Sequence, residues 1–373
     1  MKLTVQVKLL PTPEQAASLR VTLETANRAA NRLSELAWEK KEFRQFPMHR
    51  LFYRQIRDEF PLSAQIVVRL NAKVADAYKL DSKVQREFRK HGSISYDARI
   101  LSFQLPESTV SIWAVGNRIN RLPFVCGERQ RNLLNLPKGE SDLILRNGKW
   151  FLNVTVDVPE EKEIEAVEVL GLEMGIVNIC ADSDGNKYSG AKLNKVRHRN
   201  RALRRKLQRI GTKSARRLLK KRSRKEQRFA KDTNHTISRR IVSLAKRTNR
   251  MIAIEELTGI RSRVRARKRE RTKLHSWAFA ELGGMLDYKA KIAGVPLLRI
   301  NPHNTSRQCS QCGHTEKANR KTRDSFVCKS CGHAACADSN GAANIRLKGL
   351  ALAGAGAFNH PNVAAIFCGN IHN

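Results

Sequence analysis

Nothing in this chain supplies the uninterrupted apolar run that a membrane-spanning helix needs. Its most apolar stretch, residues 350–368, is broken by glycines, Asn359, His360 and Pro361. The opening Met1-Lys2-Leu3-Thr4-Val5-Gln6 lacks the apolar core of a secretory signal. Cysteines that would form a disulfide framework are missing too. Four of the eight cluster in one segment, while Cys126, Cys180, Cys336 and Cys368 are scattered, as suits a reducing compartment. Acids are scarce: 34 Asp and Glu stand against 71 Lys and Arg, for a formal charge of +37. Such a surplus is foreign to an ordinary metabolic enzyme and calls for a polyanion, most commonly nucleic acid, with a membrane surface as the rival. The expected setting is cytoplasmic and nucleoid-associated, with no membrane partner. A length of 373 residues, 41 % of them hydrophobic, allows two or three domains with real cores.

What is present begins with Cys309-x2-Cys312 and Cys328-x2-Cys331. That spacing is that of a four-cysteine zinc ribbon. Gly313 and Gly332 follow the second cysteine of each knuckle and suit a tight turn that aims N–H groups at sulfur. His314 and His333 come next and read as turn residues, because four thiolates already complete tetrahedral zinc. Apart from these two knuckles no long internal repeat is evident.

Along the chain, residues 3–10 alternate as a strand does. Thr12-Pro13-Glu14-Gln15 supplies an N-cap, a first-position proline and a capping-box glutamine. Helical patterns run on to about Lys90, with breaks expected near Phe46-Pro47 and Pro61. From Ile94 the period becomes that of short strands, ending in a hairpin at Asn147-Gly148. This order suggests a β-barrel (1–10 and 93–158) interrupted by a helical insertion (11–92). Pro159 and the acidic stretch 160–165 read as a linker. The remainder reads as strands over 167–173 and 177–181, basic helices to about Arg247, a buried strand at 251–254, a helix over 276–293, a strand over 295–300, the ribbon (301–333) and a last helix. Together the chain is α+β or mixed α/β in class.

Between residues 199 and 250 Lys and Arg dominate. Leu203, Leu207 and Ile210, and likewise Ile237, Ile241 and Leu244, form stripes that anchor helices and leave cationic faces outward. Arg204-Arg205-Lys206, Arg216-Arg217, Lys220-Lys221-Arg222 and Arg239-Arg240 are candidate phosphate contacts. The cluster at 261–268 reads as a loop beside nucleic acid.

Three acids stand at suggestive points. Glu173 ends an apolar strand and shares a face with Gly171 and Gly175, glycines expected to leave room for ions and a phosphate backbone. Glu255 ends the buried strand. Asp338 opens the last helix, where its plainer role is an N-cap. Together they can hold two Mg2+ ions, or Mn2+, for phosphodiester cleavage.

These residues carry a resemblance. Gly171-Leu172-Glu173-Met174-Gly175-Ile176-Val177-Asn178 resembles a first RuvC motif, Ile252-Ala253-Ile254-Glu255-Glu256-Leu257 a second, and Asp338-Ser339-Asn340-Gly341-Ala342-Ala343-Asn344-Ile345 a third. Residues 276–279 and 304–309 are similar to the approach to the ribbon in the same family, the TnpB-type (OrfB-like) transposon proteins. The resemblance implies a wedge barrel with a helical recognition insertion, then an RNase H-like RuvC domain (159–300 and 334–350) carrying the ribbon, and a tail (351–373). It further implies a guide RNA from the transposon end, a double-stranded DNA target, a prokaryotic host for the protein, monomer as the favoured state, and cleavage by Glu173, Glu255 and Asp338. One departure stands out: the family ordinarily has Asp where this chain has Glu173. The extra methylene moves the carboxylate by about a bond length, and a shift of about 1 Å can cost on the order of 100-fold in rate. The alternative reading is RNA-guided DNA binding with weakened or lost cleavage.

Overall fold

The computed structural model describes residues 1–257 and 279–357. The cluster at 261–268, residues 276–278 and the end of the tail lie outside the described residues. The chain divides into two compact units, Met1–Pro159 and Glu160–Asn373.

The first unit contains β1 (Lys2–Leu9), α1 (Pro13–Lys40), α2 (Gln45–Glu59), α3 (Ala64–Leu80), β2 (Ile94–Tyr96), β3 (Leu101–Gln104), β4 (Thr109–Trp113), β5 (Arg118–Val125), α4 (Glu128–Leu134), β6 (Lys138–Arg146) and β7 (Lys149–Asp157). Its antiparallel sheet runs β2-β6-β7-β1-β5-β4-β3. The two edge strands are consecutive in sequence, with only residues 97–100 between them. A flat seven-stranded sheet would hold its edges roughly 29 Å apart at about 4.8 Å per step. That short link reaches at most about 18 Å, so the sheet has to curl into a barrel. Tyr96 Oη donates to the carbonyl of Trp113 in β4, 3.1 Å away, across the closing gap. The β6–β7 hairpin turns on Asn147 and Gly148, both at positive φ.

The helical insertion corrects two expectations. Pro47 lies in the first turn of α2, where no intrahelical N–H is needed, and the real break comes at residues 41–44 after left-handed Lys41. The third helix stops at Leu80, not near Lys90. Beyond it α1 side chains satisfy the irregular backbone. Asn31 accepts from the N–H of Phe88 and donates to its carbonyl, Asn27 donates to Gly92, and Ser34 to Arg86.

In the second unit come β8 (Glu168–Met174), β9 (Asn178–Asp182), β10 (Lys187–Ser189), α5 (Ala191–Ile210), α6 (Lys213–Arg222), α7 (Lys225–Arg247), β11 (Arg250–Glu255), α8 (Phe279–Ile292), β12 (Leu297–Ile300), β13 (Ser325–Val327), β14 (Ala334–Cys336) and α9 (Ala337–Ala357). The main sheet runs β10-β9-β8-β11-β12, with β11 parallel to both its neighbours and β8, β9, β10 antiparallel in turn. This mixed sheet with helices on both faces is the architecture expected of an RNase H-like domain.

Two-residue parity sorts the faces. Leu170, Leu172, Ile252 and Ile254 pack with Ile237 and Ile241 of α7 and Leu282 and Leu286 of α8. Val169, Ala253 and Ile300 pack with Ile345 of α9 on the other side. Gly171 is where α9 crosses: a Cβ there would lie 2.2 Å from the carbonyl oxygen of Ala342. At Gly175 a Cβ would lie 2.7 Å from that of Asn178, in the turn to β9. Both glycines therefore accommodate the protein's own backbone, which corrects the expectation that they leave space for ions.

Candidate active site and metal centre

Strand register assembles the carboxylates. β8 and β11 are parallel and pair at Leu172 with Ile254, so Glu173 and Glu255 follow one step on, side by side at the strand ends. Both fall on the face covered by α9, whose first turn carries Asp338. Glu255 is 7 % exposed, while Glu173 and Asp338 are partly buried.

Burial pushes the Glu173 carboxyl well above the usual range, and the negative charges of Glu255 and Asp338 push it further. Burial also raises Glu255, against the hydroxyl of Thr305, which donates to its Oε1, and the cations Lys348 and Arg320. Two carboxylates held together in low dielectric cannot both ionise without a countercharge. Oε2 of Glu173 is shielded and has no hydrogen-bond partner. A buried, unpartnered carboxylate oxygen among like charges is the chemistry of a cation site, so the residues fit divalent metal. Among the described residues the four cysteines alone form a group of three or more potential ligands drawn within 4.8 Å of one another.

Sequence reasoning missed three partners. Arg320, from the segment between the knuckles, places Nη2 4.0 Å from Oδ1 of Asp338, and its charge pulls Glu173 and Glu255 downward. Asn178 donates from Nδ2 to Oδ2 of Asp338 at 2.8 Å. Thr305, 2 % exposed, fixes Glu255. No motif marks an arginine 18 residues from its acid, and Asn178, though inside the first motif, is joined to Asp338 only by the fold.

The four cysteines form a closed cluster with all sulfurs within 4.8 Å of one another. Cys309 to Cys331 and Cys312 to Cys328 are 3.7 and 3.6 Å apart. These separations are far beyond a disulfide bond but match the edge of a tetrahedron, about 3.8 Å for sulfur 2.3 Å from a central ion. Gly313 and Gly332 have φ of +76° and +73°, and each donates back to the first cysteine of its knuckle. The backbone N–H of Cys331 leads several contacts that hold the Cys328 thiol down to about 6. His314 turns to Glu316, and the ring of His333 packs near Phe326.

The ribbon is stapled to α9 by buried asparagines. Asn340 donates to the carbonyl of Gln308 and accepts from the N–H of Ser310, and Asn344 donates to Thr305 and Gln308. The cysteine-bearing ribbon thus sets the start of the helix that bears Asp338.

The predicted phosphate contacts are placed as follows. Arg204, Arg205 and Lys206 lie exposed on α5, Arg216, Arg217, Lys220 and Lys221 on α6, and Arg239 and Arg240 on α7. Arg222 is half-buried and donates to Asn200. Of the apolar stripes, Leu207, Ile237 and Ile241 are buried, whereas Ile210 is 49 % exposed at the end of α5. Among the described residues no helix is long and apolar enough to cross a membrane.

Residues 279–345 match the family described as Cas12f1-like, TNB domain. The chain is 29 % identical over 223 residues to the CRISPR-associated endodeoxyribonuclease Cas12f1 of Sulfoacidibacillus thermotolerans, covering 55 % of this chain and 51 % of that protein. It is 37 % identical over 97 residues to the TnpB-like protein MJ0751 of Methanocaldococcus jannaschii, covering 26 % of this chain and 35 % of the relative. The chain thus spans about half the length, or less, of these curated relatives. A solved Cas12f1–sgRNA–target DNA complex shares the fold at a TM-score of 0.62, with 18 % identity over 90 % of this chain and 83 % of that one. The resemblance to TnpB-type proteins is borne out by these relatives.

Proposed function

We propose that this protein is a transposon-associated, RNA-guided DNA endonuclease in which Glu173, Glu255 and Asp338 hold two divalent cations, Mg2+ or Mn2+. The observation that carries the reading is the convergence of these acids on one face, with a shielded Glu173 oxygen that has no partner. Bound there, such ions activate water and neutralise charge developing on the scissile phosphate. The chain's own groups do the positioning. Thr305 fixes the rotamer of Glu255, Asn178 that of Asp338, and Arg320 supplies a fixed positive charge toward the phosphate oxygens. Zinc in the cysteine cluster is structural in this reading, holding the ribbon that carries Arg320.

Guide RNA and duplex DNA are the partners proposed, because the cationic faces of α5, α6 and α7 suit phosphates and encode no base sequence. The first unit is proposed as the wedge barrel with its helical recognition insertion, and the second as the RuvC domain with its ribbon. The test is direct. The full chain is purified with its co-purifying RNA, that RNA is sequenced, and a matched duplex is added with Mg2+. Cut product that disappears in Asp338→Ala supports the reading. Tight, RNA-dependent duplex binding with no cutting would replace it by the binding-only alternative.

A further inference from the structure

The face of α9 that meets the ribbon carries a further rung beyond its two asparagines. Asn340, Asn344 and Lys348 follow at four-residue intervals, so they lie along one stripe about 12 Å long. The chain leading from β12 to the first knuckle runs antiparallel beside that stripe. Asn340 and Asn344 reach the carbonyl of Gln308, Asn344 that of Thr305, and Lys348 those of His303 and Asn301. The half-buried Lys348 ammonium donates to His303 at 2.5 Å and to Asn301 at 3.3 Å. These carbonyls belong to the loop that leaves β12 at Ile300, the residue paired with Glu255 across the parallel strands. The loop bends at Asn304, whose φ is +62° although it is not glycine, a conformation that surrounding contacts have to hold.

The position of this loop decides where one proton goes. The Thr305 hydroxyl lies within reach of Oε1 of Glu255 and of the Pro302 carbonyl, 3.0 Å away, and has a single hydrogen to give. The Pro302 carbonyl travels with the loop, whereas Glu255 belongs to the sheet. A loop that drifted outward would leave Thr305 bonded within itself and Glu255 without its donor.

We infer that Lys348 is a positioning residue for the metal-holding carboxylates: by clasping the carbonyls of residues 301 and 303 it keeps Thr305 against Glu255. The inference rests on the nuclease reading, since it assigns Lys348 to the same acids. Lys348 acts through the loop, because its own hydrogen bonds go to carbonyls. An ammonium suits this clasp, because it offers several donors and makes charge-assisted bonds to both carbonyls. Its charge also favours the ionised form of Glu255.

The test is Mn2+ binding by the full chain, freed of RNA at high salt and read from the electron paramagnetic resonance of unbound Mn2+. The part of the binding lost in Asp338→Ala is the site-specific part. Lys348→Met and Thr305→Ala are each expected to weaken it by roughly tenfold, the scale set by groups that orient metal ligands. The double variant should be about as weak as either single one, because both remove the same contact. Lys348→Arg, which keeps the charge and has donors for both carbonyls, should restore most of the affinity. A lysine that merely stabilises the fold would lower Tm in Lys348→Met and leave Mn2+ affinity at the parental value. That result would overturn the inference, and so would losses that multiply in the double variant. A parent without Asp338-dependent Mn2+ binding would sink the nuclease reading and the inference with it. Parental binding that Lys348→Met leaves intact sinks the inference alone.

Discussion

Gly341, at the start of the second turn of α9, faces the carboxylate of Glu173 so closely that a Cβ on it would lie 3.0 Å from Oε2 and 3.2 Å from Cδ. The longer acid at 173 therefore has room because residue 341 has no side chain. Gly341→Ala should push the Glu173 carboxylate off its position and slow cleavage on the order of 100-fold, the scale of a misplacement of about 1 Å. In a Glu173→Asp background, where the shorter acid withdraws from the glycine, the same alanine should cost little. A single-turnover double-mutant cycle checks this, and equal losses in both backgrounds would show that the two residues are independent.

The raised carboxyl of Glu173 has a consequence for stability. Its unfolded counterpart ionises in the ordinary carboxylate range, while the folded group keeps its proton to higher pH. Metal-free protein is therefore expected to lose stability as pH rises from that range toward the folded value. Divalent cation should restore it. Glu173→Gln, which never ionises, should raise Tm in chelator at pH 8 but not at pH 4, while abolishing cleavage. Thermal unfolding at both pH values reads this out.

Arg320 lowers both Glu173 and Glu255 by its charge. Arg320→Ala should move the rising limb of the pH–rate profile to higher pH and weaken divalent binding. Arg320→Lys should hold the profile closer to the parent while cutting more slowly, since a point charge replaces a planar fork. An unmoved profile in the alanine variant would remove Arg320 from the site.

Removal of the cysteine-bound ion should be felt at α9 through Asn340 and Asn344. Metal analysis is expected to find one zinc per chain, lost in Cys309→Ser/Cys312→Ser. The loss should lower the unfolding temperature of the second unit by roughly 5–10 °C, at about 2–4 °C per kcal/mol for a unit of this size. Asn344→Ala, which leaves the carbonyls of Thr305 and Gln308 without this donor, should cost about 1–3 kcal/mol with zinc still bound.

Gly171→Ala tests the helix crossing. With backbone only 2.2 Å from the new Cβ, α9 has to move away from the sheet. The expected loss is at least about 1–3 kcal/mol in denaturant unfolding, along with slower cleavage because Asp338 travels with the helix. A substitution without effect would mean the crossing is looser than described.

Much of this protein was legible along the chain because the relevant physics is local. Thr12 and Gln15 cap the first helix, Asn147-Gly148 turns the hairpin, and the two C-x2-C-G-H knuckles define their own turns. Period and spacing also located Glu173 and Glu255 at strand ends and Asp338 at a helix start. What parity could not show was which neighbour occupies a face. It placed Gly171 beside Glu173 correctly, yet only the packed helix revealed that backbone fills the space once assigned to ions. Arg320 escaped for the same reason, and so did the partners of Asn178 and Thr305, since each reaches its acid across strands or through the ribbon, at separations no short motif records. Residue type and short-range spacing are properties of the sequence. The joining of distant charges into one site belongs to sheet register and the docking of α9, which exist only once the chain has folded.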